Sequence, residues 1–283
     1  MQQGTRLKRS TRTSTPKSDK KPGSLACIGV GMTLGSHLTP LARSCLEQAD
    51  VVFVAVSDGI VEKWIESLHQ DVRSLQPMYG ENKSRSRTYR EWVALIMAEV
   101  RAGKKVCAAF YGHPGVYAWA PHESVRVARR EGYVAHMEPG ISAEDCLYAD
   151  LGIDPGTFGC QHHEASQLLY YKRRIDPTAY LVVWQAGFVG IETARGTTVA
   201  SDTAHLQLLV DRLAETYPLA HKVIVYRAAT LPIDSPRIER IALGKLTQTR
   251  VEPPDTLVIP PAQQLVSDTK MLARLARLER TRA

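Results

Sequence analysis

The sequence predicts an α/β protein whose first half is built on a mainly parallel sheet and whose second half carries a mixed sheet. Three observations predict it. In residues 24–140, short apolar runs rich in β-branched residues alternate with segments of helical periodicity, the pattern of strands joined by crossover helices. Several of these runs empty directly into Gly- and Pro-rich loops, as strands do when they leave a sheet by a tight turn. Beyond residue 141 the chain becomes strand-rich with less helical cover. At 283 residues it exceeds the size at which one core usually keeps growing, so two domains are expected. We place them at 24–140 and 141–262, preceded by a disordered basic tail, 1–23, and followed by a helical tail, 263–283.

The elements follow in order. "SLACIGVG" is a strand ending at Gly29 and Gly31. "TPLARSCLEQA" starts a helix at Thr39, with Pro40 in the first helical position and Leu41, Cys45 and Leu46 on one face. "DVVFVAV" is a continuous apolar run of the kind that fills a parallel sheet covered on both faces. "TYREWVALIMAEVRAG" predicts a helix from Thr88 with Trp92, Leu95, Ile96 and Val100 inward, closed by Gly103. "KKVCAAFYGHPG" is a buried strand running into a loop, "APHESVRVARREG" a helix, "YVAHMEP" a strand and "GISAEDCLYADLG" a helix. In the second half, "AYLVVWQAG" and "HKVIVYRAA" are strands flanking the helix "TAHLQLLVDRLAETY", and "RIERIALGKL" and "DTLVIPPA" close the sheet. The polar and aromatic stretch 164–180 fits neither period.

The formal charge of +7 is not spread evenly. Residues 1–22 hold seven Lys/Arg against Asp19, and the last fourteen residues hold five against Glu279, which leaves about −3 for the body. The tails carry the cations without any recognition module, so nucleic acid is not the expected partner. The first residues lack the apolar block of a secretory signal and no apolar run is long enough to span a bilayer, so a cytoplasmic protein without membrane contact is expected. Five widely spaced cysteines argue against a disulfide framework, and the nine histidines show no metal-binding spacing. No metal is expected.

Four loops after strong strands stand out: "GVG" at 29–31, "YGHPGVY" at 111–117, "PGISAED" at 139–145 and "WQAG" at 184–187. Ligands of open α/β sheets collect at such strand ends. The glycines of "GVG", with Asp58 after the next strand, admit a dinucleotide site as a competitor. Pro40 sets the helix start too far past Gly31 to hold a pyrophosphate.

The order of "CIGVG", "FYGHPGVY", "PGISAEDCLYADLGIDP", "LVVWQAG", "VIVYRAA" and "DTLVIPP" resembles the tetrapyrrole-methylase-like superfamily of S-adenosylmethionine-dependent methyltransferases. Together with "YGENKSRSRTY", it resembles the borosin peptide backbone α-N-methyltransferases. The likeness runs from about Ser24 to Ala262. It implies the two-domain class III methyltransferase fold, with S-adenosylmethionine in the cleft between domains and S-adenosylhomocysteine as product. The resemblance places Tyr111, His113, Val116 and Tyr117 against that cofactor, with Ser142, Ala143, Gln185, Ala228, Ala229 and Thr256. It assigns catalysis to Tyr79, Arg85 and Tyr89, with Tyr111 near the transferred methyl.

It further implies a homodimer, or a heterotetramer with two precursor chains. The twenty or so residues after "VIPPA" hold no apolar core-peptide stretch, so a separate precursor peptide methylated in trans is expected. The alternative is a tetrapyrrole or other small-molecule methyltransferase of the same fold.

Elementary chemistry fits these residue types. A backbone amide nitrogen is a poor nucleophile because its lone pair is delocalised into the carbonyl. A guanidinium about 4 Å from a tyrosine could favour phenolate by up to ~4 kcal/mol at an effective dielectric near 20. The expected roles are therefore Tyr79 as proton acceptor, Arg85 as charge stabiliser and Tyr89 as orienter of the amide. Lys83 and Arg87 are expected to be solvated surface cations.

Overall fold

The computed structural model describes residues 22–56, 58–80, 83–191, 193–194 and 202–281; most of the basic N-terminal segment expected to be disordered lies outside them. The first sheet is formed by β1 (Ser24–Gly29), β2 (Val51–Ala55), β3 (Val72–Ser74), β5 (Lys105–Phe110) and β6 (Val134–Glu138). All its pairings are parallel, in the order β3-β2-β5-β1-β6. Between them run α1 (Pro40–Glu47), α2 (Gly59–Glu66), the two-residue strand β4 (Lys83–Ser84), α3 (Arg85–Arg101) and α4 (Trp119–Arg130).

The pleat sorts the side chains of β2. Val51 and Phe53 face a core with Trp92, Ile96 and Val100 of α3, while Val52 and Val54 face Leu46 of α1 and Ile65 of α2. Successive strand residues point to opposite faces, so a run apolar at every position is what a doubly covered strand requires. Each of these side chains contributes about 1.5–3 kcal/mol by burial.

The second sheet has β7 (Cys160–Glu164), β8 (Tyr180–Trp184), β10 (Lys222–Arg227), β11 (Arg237–Ala242) and β12 (Thr256–Ile259). Its order is β11-β10-β12-β8-β7; β7 and β8 are parallel and the other pairs antiparallel, so the mixed sheet expected from the sequence is present. One face packs on α8 (Thr203–Ala214) through Leu209 and Leu213. The opposite face takes Leu147 of α5 (Ala143–Leu151) and Met32 from the loop after β1 into a shared core with Val182, Trp184, Ile224 and Tyr226. The sheets are thus joined by apolar contact where the first one ends. The remaining elements are α6 (Pro155–Phe158), α7 (Ala165–Tyr170), the short strand β9 (Thr193–Ala194), which pairs antiparallel with β4, and α9 (Thr269–Arg280).

Several local expectations change. Helix α3 starts at Arg85 rather than Thr88, because the Ser84 hydroxyl accepts the Arg87 amide and caps it. Leu41 and Leu95, expected inward, are 56% and 44% exposed; α1 turns Ala42 to the core in place of Leu41, whereas Trp92, Ile96 and Val100 of α3 are buried as expected. The stretch 164–180, which fits neither period, holds the last residue of β7, the short helix α7 and a loop that leads into β8. Among the described residues, no helix is long and apolar enough to cross a membrane and no group of three or more His, Cys, Asp or Glu could hold a metal. All five cysteines are free.

Candidate active site

Three loops leaving the first sheet are pressed together at the backbone. A Cβ on Gly29 would lie 2.3 Å from the Gly112 oxygen and 2.8 Å from the Gly140 Cα, which only glycine avoids. Gly31 and Gly112 exchange N–H···O bonds of 3.1 and 3.0 Å. This lacing brings "GVG", "YGHPGVY" and "PGISAED" to one place. Ser142 then caps α5: its hydroxyl accepts the Asp145 amide at 3.3 Å, and Asp145 accepts the Ser142 amide at 2.7 Å.

Against these loops opens a cavity of about 820 Å3. Met32, Asp58, Tyr111 and Ala143 line it from the first sheet, and Trp184, Gln185 and Phe188 from the end of β8. Arg227 to Thr230 and Thr256 close it from β10 and β12. Of the residues expected at a cofactor, Tyr111, Ala143, Gln185, Ala228, Ala229 and Thr256 line this cavity. His113, Val116, Tyr117 and Ser142 stand beside it in supporting contacts. His113 Nδ1 accepts the Gly115 amide at 2.8 Å, the Val116 amide donates to the His113 carbonyl, and the Tyr117 ring packs 5.6 Å from that of Trp184.

Among the described residues, Gln185 and Tyr117 are the non-glycine residues with positive φ, 56° and 51°. Such residues cost free energy that surrounding structure must offset. At Gln185 the restraint is visible. The Ala186 amide donates to the Asp255 carbonyl at 3.2 Å, and a Cβ on Gly187 would lie 2.1 Å from the Glu252 oxygen. Asp255 itself is fully buried and accepts Arg237 Nη1 at 2.6 Å, the Glu252 amide at 2.7 Å and an ion pair from Arg227 Nε at 3.1 Å.

Of the "YGENKSRSRTY" stretch, Tyr79, Arg85 and Tyr89 lie among the described residues. The rings of Tyr79 and Tyr89 stand edge to face at 6.5 Å, each 5.3 Å from Trp92, whose indole N–H is fixed on the Leu75 carbonyl at 3.0 Å. Arg85 and Tyr89 sit one turn apart on α3, and Arg85 Cζ lies 3.9 Å from the Phe188 ring centre. Phe188, which lines the cavity, therefore connects the cluster to it.

Burial first, then Tyr89, push the Tyr79 phenol well above its ordinary value, and the opposing pull of Arg85 is smaller. A Tyr79 phenolate, which a nearby guanidinium could favour, is therefore not the resting state: desolvation of a half-enclosed phenol outweighs one neighbouring cation. Burial likewise raises Tyr111. Lys83 differs from the expectation of a free surface cation. Its Nζ donates to the Met78 carbonyl at 2.7 Å and pairs with Glu91, whose other oxygen takes the exposed Arg87 at 3.1 Å.

The sequence reading missed Trp184, Phe188, Tyr226, Arg227 and Arg237 as lining residues. Asp58, weighed as the acid of a dinucleotide site, caps α2 by accepting the Ile60 amide at 2.7 Å while lining the cavity. Phe188 lies just past the "WQAG" loop, which was the available signal.

Known proteins share the sequence and the fold of this chain. The chain is 41% identical over 229 residues to a methyltransferase/ribosomally synthesized type I borosin cyclic peptide precursor of Coprinopsis marcescibilis, covering 81% of this chain and 59% of that protein. A protein of the same description from Mycena rosella is 36% identical over 261 residues, covering 90% of this chain and 64% of its own. The chain thus spans about three-fifths of the length of these relatives. The solved structure of cobalt precorrin-4 methyltransferase has the same fold, with a TM-score of 0.61 at 18% identity over 84% of this chain and 94% of that one. Residues 24–247 match the model of the Tetrapyrrole (Corrin/Porphyrin) Methylases, and the chain belongs to that family.

Proposed function

We propose that this protein is an S-adenosylmethionine-dependent methyltransferase that N-methylates backbone amides of a peptide supplied as a separate chain. The observation that carries the reading is the seat of Arg85 on Phe188, which joins a Tyr79/Tyr89/Trp92 cluster to the cavity. The names of the relatives, which pair a methyltransferase with a peptide precursor, support a peptide substrate.

The cavity suits the cofactor chemically. Met32, Ala143, Ala228 and Trp184 give apolar walls, and Gln185, Thr256 and the chain at Ala228 and Ala229 give polar groups, the mixture that small-molecule sites use. Tyr111, Ala143, Gln185, Ala228, Ala229 and Thr256 would hold the cofactor, with His113, Val116, Tyr117 and Ser142 shaping the loops behind them. When bound, the cofactor supplies an electrophilic methyl group.

The protein's own residues must then position an amide and manage its charge and proton. Arg85, seated over the Phe188 ring, faces the substrate carbonyl oxygen and stabilises the negative charge that grows there. Tyr79 is neutral at rest and needs no phenolate: its oxygen receives the amide proton as its own proton passes to Tyr89, and half-buried Tyr89 releases its hydroxyl proton to solvent, so one proton leaves for each methyl transferred. Tyr89 and Tyr111 hold the amide in place, since alignment alone is worth several orders of magnitude in rate.

The exposed residues after β12 include Lys270, Arg274, Arg277 and Arg280 on α9. The exposed Leu272, Leu275 and Leu278 of α9 offer an apolar face for the homodimer we expect, which sedimentation measures.

The deciding experiment incubates the protein with S-adenosylmethionine and a candidate precursor peptide and fragments the product by mass spectrometry. Stepwise methylation on backbone nitrogens is expected. Methylation of a tetrapyrrole with none on any peptide would overturn the reading.

A further inference from the structure

Behind the cavity wall runs a polar chain that the proposed function does not use. It begins at Glu144 and Tyr148 on α5, passes through His162 on β7 and ends at Trp184 on β8. Trp184 Nε1 donates to His162 Nδ1 at 3.1 Å, and the two rings stack at 6.0 Å with 16° between their planes. An indole N–H can only donate, so His162 Nδ1 bears no proton.

The ring proton is therefore on Nε2, and the rest of the chain has one consistent polarity. His162 Nε2 donates to the Tyr148 oxygen at 2.9 Å, and Tyr148 donates to Glu144 Oε1 at 3.1 Å. A second proton on His162 would set N–H against the indole N–H. Trp184 is 6% exposed, lines the cavity and carries the Tyr117 ring at 5.6 Å. Losing its hydrogen bond would release a wall of the site and the left-handed Tyr117 loop beside it.

The groups facing His162 are few. Glu144 lies 3.6 Å from Nε2 and favours protonation, whereas burial disfavours it more strongly, so the ring is held neutral below its ordinary range. Tyr148, raised by burial, stays a phenol, and Cys160 lies beside it. His163, the neighbour on β7, is itself kept neutral by burial and by Arg173.

We propose that His162 is a positioning residue: its unprotonated Nδ1 holds the Trp184 indole, and protonation of His162 frees Trp184 and weakens cofactor binding. The second clause rests on the cavity being the cofactor site; the first does not.

The test follows the indole N–H resonance of Trp184, assigned with Trp184→Phe, and the Kd for S-adenosylmethionine as pH falls below about 6.5, the ordinary histidine value. In the wild type the resonance should titrate and the Kd rise roughly fivefold to tenfold over the same range, the worth of one hydrogen bond. His162→Asn, whose Oδ1 can take the place of Nδ1, should hold both flat, and His162→Phe should raise the Kd at every pH while kcat stays within about threefold. A wild-type resonance indifferent to pH, or a His162→Asn variant that titrates like the wild type, would overturn the proposal. A resonance that titrates through His162 in a protein that never binds S-adenosylmethionine would support the positioning role and overturn the functional reading instead.

Discussion

Arg85, the first residue of α3, holds its guanidinium carbon 3.9 Å from the centre of the Phe188 ring. The two residues come from opposite halves of the chain, and their contact makes the Tyr79/Tyr89 cluster and the cavity a single surface.

Arg85→Lys keeps the charge and loses the planar guanidinium that sits over the Phe188 ring. Methylation should fall about 10²-fold to 10³-fold, the usual cost of removing a group that stabilises developing charge, with the Kd for S-adenosylmethionine within about threefold of wild type. Single-turnover mass spectrometry and calorimetry check the two halves. Activity equal to wild type would remove Arg85 from the mechanism.

Tyr79 gives a pH prediction with a definite sign. Its phenol is raised in the folded chain, so above the ordinary tyrosine value of about 10 the unfolded chain loses this proton first. The stabilisation is complete below that value and is lost as pH rises through the higher folded value. Thermal midpoints should therefore drop above about pH 10, and less steeply for Tyr79→Phe. The same variant should abolish methylation near neutral pH while cofactor binding persists.

Gly29→Ala would force a Cβ to within 2.3 Å of the Gly112 oxygen, and backbone cannot give way there cheaply. A loss of about 3 kcal/mol or more is expected, at the large end for single substitutions. Gly187→Ala meets the Glu252 oxygen at 2.1 Å but acts next to the cavity, so it should weaken cofactor binding at temperatures where the chain is still folded. Chemical denaturation and a binding titration separate the two.

Asp255→Leu removes the buried carboxylate between Arg227 and Arg237. Breaking such a buried cluster typically costs about 3–5 kcal/mol, and the Gln185 turn hung on the Asp255 carbonyl should loosen with it. A lower thermal midpoint with little gain from added S-adenosylmethionine is the expected outcome.

Much of the fold was legible because period and punctuation agree. The apolar run at 51–56 reads as a doubly covered strand, and Thr39-Pro40 fixed the start of α1. The misses have physical causes. Leu41 and Leu95 are apolar residues at the edge of a helical stripe, and a small rotation of the helix decides which of two neighbours is buried. β3 is three residues long and half-buried, too short to show a period. At the site, loop glycines announced the backbone approach, whereas Arg227, Arg237 and Asp255 are cations and an acid in unremarkable sequence, brought together only by the antiparallel pairing of β10 with β11 and β12. Lys83 looked like one more surface charge because its partner, Glu91, lies two turns into the helix that Ser84 caps.

The two-residue ribbon of β4 and β9 pairs Lys83 with Ala194 and Ser84 with Thr193. It ties the start of α3 to the chain a few residues past Phe188, on the side of the second sheet. If the two sheets rock against each other to admit a peptide, Arg85 is leashed at both its backbone and its ring partner to the half it was not born in. The rest of α3 stays in the first sheet's core through Trp92, Ile96 and Val100, so the ribbon and the Arg85–Phe188 seat act as a clasp that limits how far the two halves can part at this edge.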